Sequence, residues 1–213
     1  MPATSFPSQV DSNRAACELA CARADDTGAR VQVDEPQTIR TERLLLEPLV
    51  PAHALALTRF ARLWEVARYT ANIPHPYPAG CAEAFTKQSV DQRRDGGGWV
   101  FAVVPQDDPG VLGVVDITLS DDRRSGELGY AFAPWAWGQG YATEAARALV
   151  NFGFSYLRLD LIEAFAMVEN PASCRVLSKA GLRRVGEQIL PAPARGRHIL
   201  CEAYRVFWTE SLQ

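Results

Sequence analysis

Long apolar runs are missing from the chain. No stretch approaches the roughly 20 uninterrupted apolar residues that a membrane-crossing helix needs, and the first residues lack the apolar centre of a secretory signal. A cytoplasmic protein is the expectation, with no membrane partner. Charge of one sign is not in excess either: the formal net charge is -3 over 213 residues. Without a basic field to concentrate a phosphate backbone, nucleic acid is not expected as a partner. Histidine is scarce, and His53, His75 and His198 lie far apart. The five cysteines, Cys17, Cys21, Cys81, Cys174 and Cys201, are odd in number and scattered. Neither set has a metal-ligand or redox spacing, so reduced structural thiols and no metal are expected.

What is present suits one well-buried domain: 47% of the residues are hydrophobic and 22% charged. Residues 1–36 are rich in Ala, Ser, Asp and Arg and nearly free of large apolar groups, which marks a flexible leader. A short helix over Ala15 to Ala24 is the one element expected in it. Its acidic residues Asp11, Glu18, Asp25 and Asp26 argue against an organelle-targeting peptide. Residues 37–213 form the expected domain.

In that domain Leu44, Leu45, Leu46 and Leu49, closed by Pro48 and Pro51, predict a first strand. A first helix is expected over Pro51 to Arg62. Pro74, Pro76 and Pro78, around His75 and Tyr77, exclude regular structure between Asn72 and Gly80. A second helix should span Cys81 to Asp95. Three strands follow, at Trp99 to Val104, Val111 to Leu119 and Gly126 to Ala133, and their short polar turns imply antiparallel neighbours. From Gly140 to Leu157 the apolar period changes to that of a helix, with Ala142, Ala145, Ala146, Leu149, Val150 and Gly153 on one face. Leu161 to Val168 reads as a strand. Asn170 to Ala180 reads as a short helix with an N-cap Asn, a proline at its first position and Gly181 beyond its end. Two strands, Leu182 to Leu190 and Ile199 to Trp208, complete the chain. The fold class is mixed α/β: a mostly antiparallel sheet of six to seven strands with helices on both faces.

The segment from Glu127 to Glu144 carries the most chemistry. A strand runs into the turn Trp137-Gly138-Gln139-Gly140-Tyr141-Ala142 and then a helix, leaving backbone N–H groups unpaired at the positive end of that helix, where a pyrophosphate could be held. A glycine turn of this kind also serves merely to reach a positive backbone angle. A dinucleotide-binding oxidoreductase, with Gly138, Gly140 and Asp160 in the phosphate and ribose roles, fits less well. Thr143 stands where a third small residue belongs, and too little chain follows Asp160 for a doubly wound sheet.

Three motifs, in order, resemble one family. Ile39-Arg40-Thr41-Glu42-Arg43-Leu44-Leu45-Leu46, then Trp137-Gly138-Gln139-Gly140-Tyr141-Ala142-Thr143-Glu144-Ala145, then Glu169-Asn170-Pro171-Ala172-Ser173 through Lys179-Ala180-Gly181-Leu182 are similar to the GNAT acetyltransferases, in particular the branch of the ribosomal-protein N-terminal acetyltransferases RimJ and RimL. The resemblance implies the GNAT fold and transfer of acetyl from acetyl-CoA straight to a primary amine, on a protein N-terminus or a small molecule, by a monomer or homodimer. It implies that Phe132 and Ala133 hydrogen-bond the pantetheine arm. The N–H groups of Gly138, Gln139, Gly140, Tyr141, Ala142 and Thr143 would hold the pyrophosphate, beside Trp137, and Asn170 would touch the pantetheine. Glu127 is the expected general base, since an ammonium must lose a proton before it attacks. Many relatives protonate the leaving thiolate with a tyrosine on the short helix; Leu177 stands there, and Ser173, one turn earlier on the same face, is the replacement. His75 and Tyr77 are placed at the acceptor. The absent tyrosine leaves one rival open, an acyl-CoA-binding module without turnover.

Overall fold

A computed structural model of the chain describes residues 38–208. The expectations for the leader, including the helix over Ala15 to Ala24, lie outside the described residues. Eight strands form one sheet in the order β1 (Ile39–Arg40), β2 (Leu44–Pro48), β3 (Gly98–Pro105), β4 (Gly113–Leu119), β5 (Ser125–Phe132), β6 (Leu161–Met167), β8 (Arg197–Phe207), β7 (Arg183–Ala192). Every neighbouring pair is antiparallel except β5 with β6. One strand more is present than the six to seven expected, because Ile39–Arg40 adds a two-residue edge to β2. A single parallel pair also removes the dinucleotide reading, whose doubly wound sheet needs a run of parallel strands. Asp160, given the ribose contact in that reading, pairs instead with Arg124 at 2.5 Å.

Strand β3 shows how the sheet is built. Its first seven residues are all buried, so it cannot have a solvent face. Trp99, Phe101 and Val103 point to one side, where they join Leu46, Val115, Ile117 and Leu149 in the larger core. Val100, Ala102 and Val104 point to the other, with Leu49, Leu57, Phe60 and Val114. Period-two alternation thus feeds two helical layers from one apolar run.

The larger core is covered by α4 (Tyr141–Ser155) and α5 (Pro171–Lys179). Helix α4 lies close to the sheet through Ala145 and Ala146, neither of them exposed, and Gly153, where an added Cβ would come 2.7 Å from Ile162 Cδ1. The opposite face is covered by α1 (Ala54–Ala61), α2 (Trp64–Ala67) and α3 (Cys81–Arg94). The helix expected over Pro51 to Arg62 is present: it opens with a 3-10 turn, Pro51–His53, that runs straight into α1, and the separate one-turn α2 follows beyond it after an extended Leu63. Residues 71–80 contain no helix or strand, as the three prolines require. Cys81, Cys174 and Cys201 are free thiols.

Candidate active site

The site starts from a split in the sheet. Strands β5 and β6 pair only over Ser125–Glu127 with Leu161–Glu163, and beyond that register they have no pairing. Ser120 donates to the Ser125 carbonyl and Ala133 to that of Leu112, so the odd residues of β5 bond towards β4. Backbone groups of Tyr130 and Phe132, beyond the last paired register, consequently face the split, with no strand to satisfy them. An extended amide-bearing molecule laid in the split would find a ready backbone edge there. Of the two residues expected to meet pantetheine, Phe132 lies on this edge, whereas the Ala133 N–H is already spent on Leu112. The Phe132 carbonyl accepts the Trp137 indole N–H at 2.9 Å and keeps a second lone pair.

The chain leaves the open end of β5 through a 3-10 turn, Pro134–Ala136, and enters α4 at Gly140. Gly138 and Gly140 have φ of 75° and 83°, which L side chains rarely adopt. Glycine at the N-cap supplies no capping side chain. The first helical bond is Glu144 N–H to the Gly140 carbonyl. The N–H groups of Tyr141, Ala142 and Thr143 are thus left for an outside acceptor at the positive end of a fifteen-residue helix. Residues 137–140 are exposed and 141–144 half-buried, so this end is open to a ligand.

The turn is held from below by the first motif. Glu144 Oε1 accepts the Thr41 hydroxyl at 2.6 Å and the Arg43 N–H at 2.8 Å, and Oε2 accepts Arg43 Nε at 2.7 Å. Burial pushes the Glu144 carboxyl up, and these hydrogen bonds with the Arg43 charge outweigh it, leaving it below the usual glutamate range. Arg43 also donates to the Gln139 carbonyl at 3.0 Å and stacks 4.7 Å over Tyr141.

On the α4 and α5 side of the split, Asn170 caps α5, its Oδ1 accepting Ser173 N–H at 3.2 Å. Ser173 Oγ lies 2.8 Å from the Tyr130 hydroxyl, which also contacts the Ser173 carbonyl at 3.2 Å. Leu177, one turn on, is sealed in the core. The hydroxyl that sequence reasoning sought on α5 thus has a partner on β5. Burial raises the Tyr130 hydroxyl well above the usual range, the Ser173 hydrogen bond opposing it.

The opposite side of the split carries carboxylates. Glu127 keeps solvent access, and its register partner on β6 is Glu163. Loss of hydration, then the Glu163 charge, raises the Glu127 carboxyl. Glu163 is itself neutralised by Arg205 at 2.5 Å. Asp116, missed from the sequence, shares this face because it pairs with Gly129 as Thr118 pairs with Glu127. Burial, then the Glu127 charge, pushes its carboxyl up to about 7. A Cβ on Gly129 would sit 2.7 Å from Asp116 Oδ1, so the glycine makes room for the carboxylate. A lone acid within Val114-Val115-Asp116-Ile117 was the signal that could have found it.

His75 and Tyr77 are separated. The His75 ring lies 5.2 Å from that of Trp64, tilted by 49°, in an open basic pocket, whereas Tyr77 packs half-buried against the Leu49 and Phe60 core. Burial, then the Cys81 and Glu83 charges, pushes its hydroxyl up to about 12. His53 lies 3.6 Å from Glu47 and accepts the Val50 N–H through Nδ1.

The model of the acetyltransferase (GNAT) domain matches residues 43–183, most of the described chain. The uncharacterized N-acetyltransferase YnaD of Bacillus subtilis is 32% identical over 127 residues, covering 58% of this chain and 75% of its own. A GNAT-family acetyltransferase structure from Bacillus anthracis superposes with a TM-score of 0.72 at 24% identity, covering 82% of this chain and all of that one. Spermidine N-acetyltransferase from Vibrio cholerae, solved with CoA and spermine, gives 0.69 at 18% identity over 81% of this chain and 100% of that one. The two structures share the fold, and the domain match, joined to the split sheet and the open helix end beside it, makes this chain a member of the GNAT acetyltransferase family and an acetyl-CoA-dependent acetyltransferase.

Proposed function

We propose that the protein moves the acetyl group of acetyl-CoA to a primary amine presented on the Glu127 face of the split. The observation that carries this is the three-residue pairing of β5 with β6, which leaves the β5 edge at Tyr130 and Phe132 without a strand partner beside the open end of α4. The pyrophosphate takes the N–H groups from Gly138 to Thr143, and the pantetheine amides take the β5 edge, with Asn170 and Trp137 alongside. The thioester then lies between Tyr130 and Ser173 on one face and Glu127 on the other.

Glu127 removes a proton from the ammonium, directly or through water, and its raised carboxyl brings it towards a useful basicity near neutral pH. The amine nitrogen bonds to the acetyl carbon and releases its second proton to solvent as the carbon–sulfur bond breaks, and the thiolate takes a proton from the Tyr130 and Ser173 hydroxyl pair, which regains one from solvent. Backbone N–H groups on the free β5 edge stabilise the oxyanion as it forms.

The motifs that resemble RimJ and RimL make a protein N-terminus one acceptor class, and small amines are the other. Spermine in the Vibrio cholerae structure and the acidic face of Asp116, Glu127 and Glu163 are compatible with a polyamine. Thiol release from acetyl-CoA across a panel of peptides and small amines tests the reading. Calorimetric binding of coenzyme A with no release for any amine would leave a binding module; no affinity for coenzyme A would defeat both.

A further inference from the structure

Around His75 lies a pocket of about 460 Å³ that the acetyl-transfer chemistry does not use. Its walls come from four separate stretches: α2 and its exit with Trp64 and Arg68, the proline-rich loop with His75, the turn between β6 and α5 with Glu169, and the turn between β7 and β8 with Arg195 and Arg197. Glu169 is the single carboxylate among the lining residues. We propose that this pocket binds an anionic group on the acceptor, so that the substrate is an amine bearing a carboxylate or phosphate. The proposal rests on the acetyl-transfer reading above and narrows its acceptor.

The pocket is assembled deliberately across the chain. Ala194 N–H donates to the Ala71 carbonyl at 3.0 Å and Arg195 to the Ile73 carbonyl, which ties the β7 to β8 turn to the proline-rich loop. The Arg195 guanidinium lies 5.5 Å over Trp64, whose other contact is the His75 ring. Arg68 stacks at 4.4 Å on Tyr69. These contacts orient cations on aromatic faces without neutralising them. Among the described residues the Arg68 and Arg197 side chains make no hydrogen bond or ion pair, Arg195 Nε is buried without a partner, and Glu169 forms no ion pair with any of the three arginines. Three guanidinium groups against one carboxylate leave a positive surplus. Planar forks of N–H donors suit a carboxylate or phosphate, which they bind bidentately.

Placement connects the pocket to the split. Tyr69, Ala71 and Phe165 of β6 all pack on the small core of Met167, Ala192, Ile199 and Cys201. Phe165 follows Glu163 on the same sheet face, since period two returns to that face. From Glu163 to Met167 a strand covers about 13 Å. An acceptor spanning from the Glu127 face to the arginines therefore carries its anion on the order of 10 Å from its amine, beyond the reach of an α-amino acid's own carboxylate.

The test measures initial acetylation rates of the full chain with ω-aminocarboxylates and aminoalkyl phosphates of increasing length, against alkylamines and diamines of matched length. The expected result is at least a tenfold higher kcat/KM for the anionic members of suitable length, with carboxylate and phosphate series separating the two anions. In an Arg68→Ala, Arg197→Ala double variant the ratio of anionic to neutral kcat/KM should fall towards one, and Arg197→Lys should lose less. Equal rates for the matched pairs, a preference for polyamines, or an unchanged ratio in the double variant would overturn the pocket while leaving acetyl transfer intact. Should no amine turn over, the acetyl-transfer reading fails instead. Calorimetry with the same aminocarboxylates then decides the pocket: binding lost in the double variant supports it, and no binding to the wild type rejects it.

Discussion

The hydroxyl of Tyr130 on β5 lies 2.8 Å from that of Ser173 on α5, joining the two walls between which coenzyme A is proposed to lie. In the proposed reaction, this tyrosine on β5 takes the place of the one that the family resemblance puts on the short helix, where Leu177 stands. Its hydroxyl is a weak acid in this setting, raised by burial, so it holds its proton until a stronger base such as a departing thiolate forms beside it. Tyr130→Phe should lower kcat by about 10- to 100-fold with little change in KM for acetyl-CoA. Ser173→Ala should cost less, because Tyr130 keeps its own proton. Steady-state kinetics of both variants and of the double variant check this, and an unaltered kcat in Tyr130→Phe removes the pair from the reaction.

Glu127 and Asp116 make a pH prediction. Both carboxyls are raised, Asp116 to about 7, and they share a sheet face, so the acid limb of kcat/KM belongs to the pair. Activity should fall as pH drops below about 7, and Glu127→Gln should abolish most of it, by about 10²- to 10⁴-fold. Asp116→Asn should move the limb to lower pH while retaining turnover. A limb that stays in place in Asp116→Asn would assign it to another group.

Asp116 also affects folding, in a direction opposite to most carboxylates. Its folded pKa lies above the unfolded value near 3.9, so the folded state binds its proton more tightly. Stability from this residue is therefore full below about pH 4 and is lost as pH rises to about 7, on the order of 2–4 kcal/mol. Urea unfolding at pH 5 and pH 8 should show a smaller difference in Asp116→Asn than in the wild type. The opposite order would mean that the carboxyl is charged and paired in the native state.

Much of this was legible in the sequence because local rules and tertiary packing agreed. The glycines at 138 and 140 announced positive φ, Asn170 with Pro171 announced a helix start, and the alternating core strands announced themselves by length and apolarity. What escaped detection depended on partners distant in the chain. Tyr130 read as one more strand aromatic, since its hydroxyl finds Ser173 only when β5 and α5 meet 43 residues later. The one-turn α2, Trp64–Ala67, was not anticipated after the helix expected over Pro51 to Arg62, since four residues carry no helical period. Strand β1 was too short for any periodic signal. The basic pocket draws on residues 64 to 197, and no local motif contains it.

The two turn glycines separate conformation from contact. Gly138 has φ of 75° with nothing within 4 Å of an added Cβ, so Gly138→Ala should cost only the left-handed backbone penalty, about 1–2 kcal/mol. Gly140 has the same need, and a Cβ there would also come 3.3 Å from Arg43 Nη2. Gly140→Val should therefore disturb the Arg43 and Glu144 lock that fixes the helix end, and weaken coenzyme A binding more than Gly138→Ala does. Isothermal titration with coenzyme A on both variants, beside their urea midpoints, distinguishes lost affinity from lost fold. Affinity untouched in a folded Gly140→Val protein would place the pyrophosphate elsewhere.

The lock itself gives the last test. Thr41 and Arg43 bring four hydrogen bonds and a 2.7 Å ion pair to the helix end, three of those bonds on the Glu144 carboxylate and one on the Gln139 carbonyl. Because the Glu144 carboxyl is held below its usual range, its stabilisation is present above about pH 4.3 and is lost as pH falls through its lower folded value. Glu144→Gln keeps the shape but loses the charge, and should cost about 1–2 kcal/mol at pH 7. Since the same residues aim the Tyr141, Ala142 and Thr143 N–H groups, coenzyme A affinity should drop several-fold in parallel while kcat at saturation is largely kept. A stability loss with undiminished affinity would show that the helix end keeps its aim without the lock.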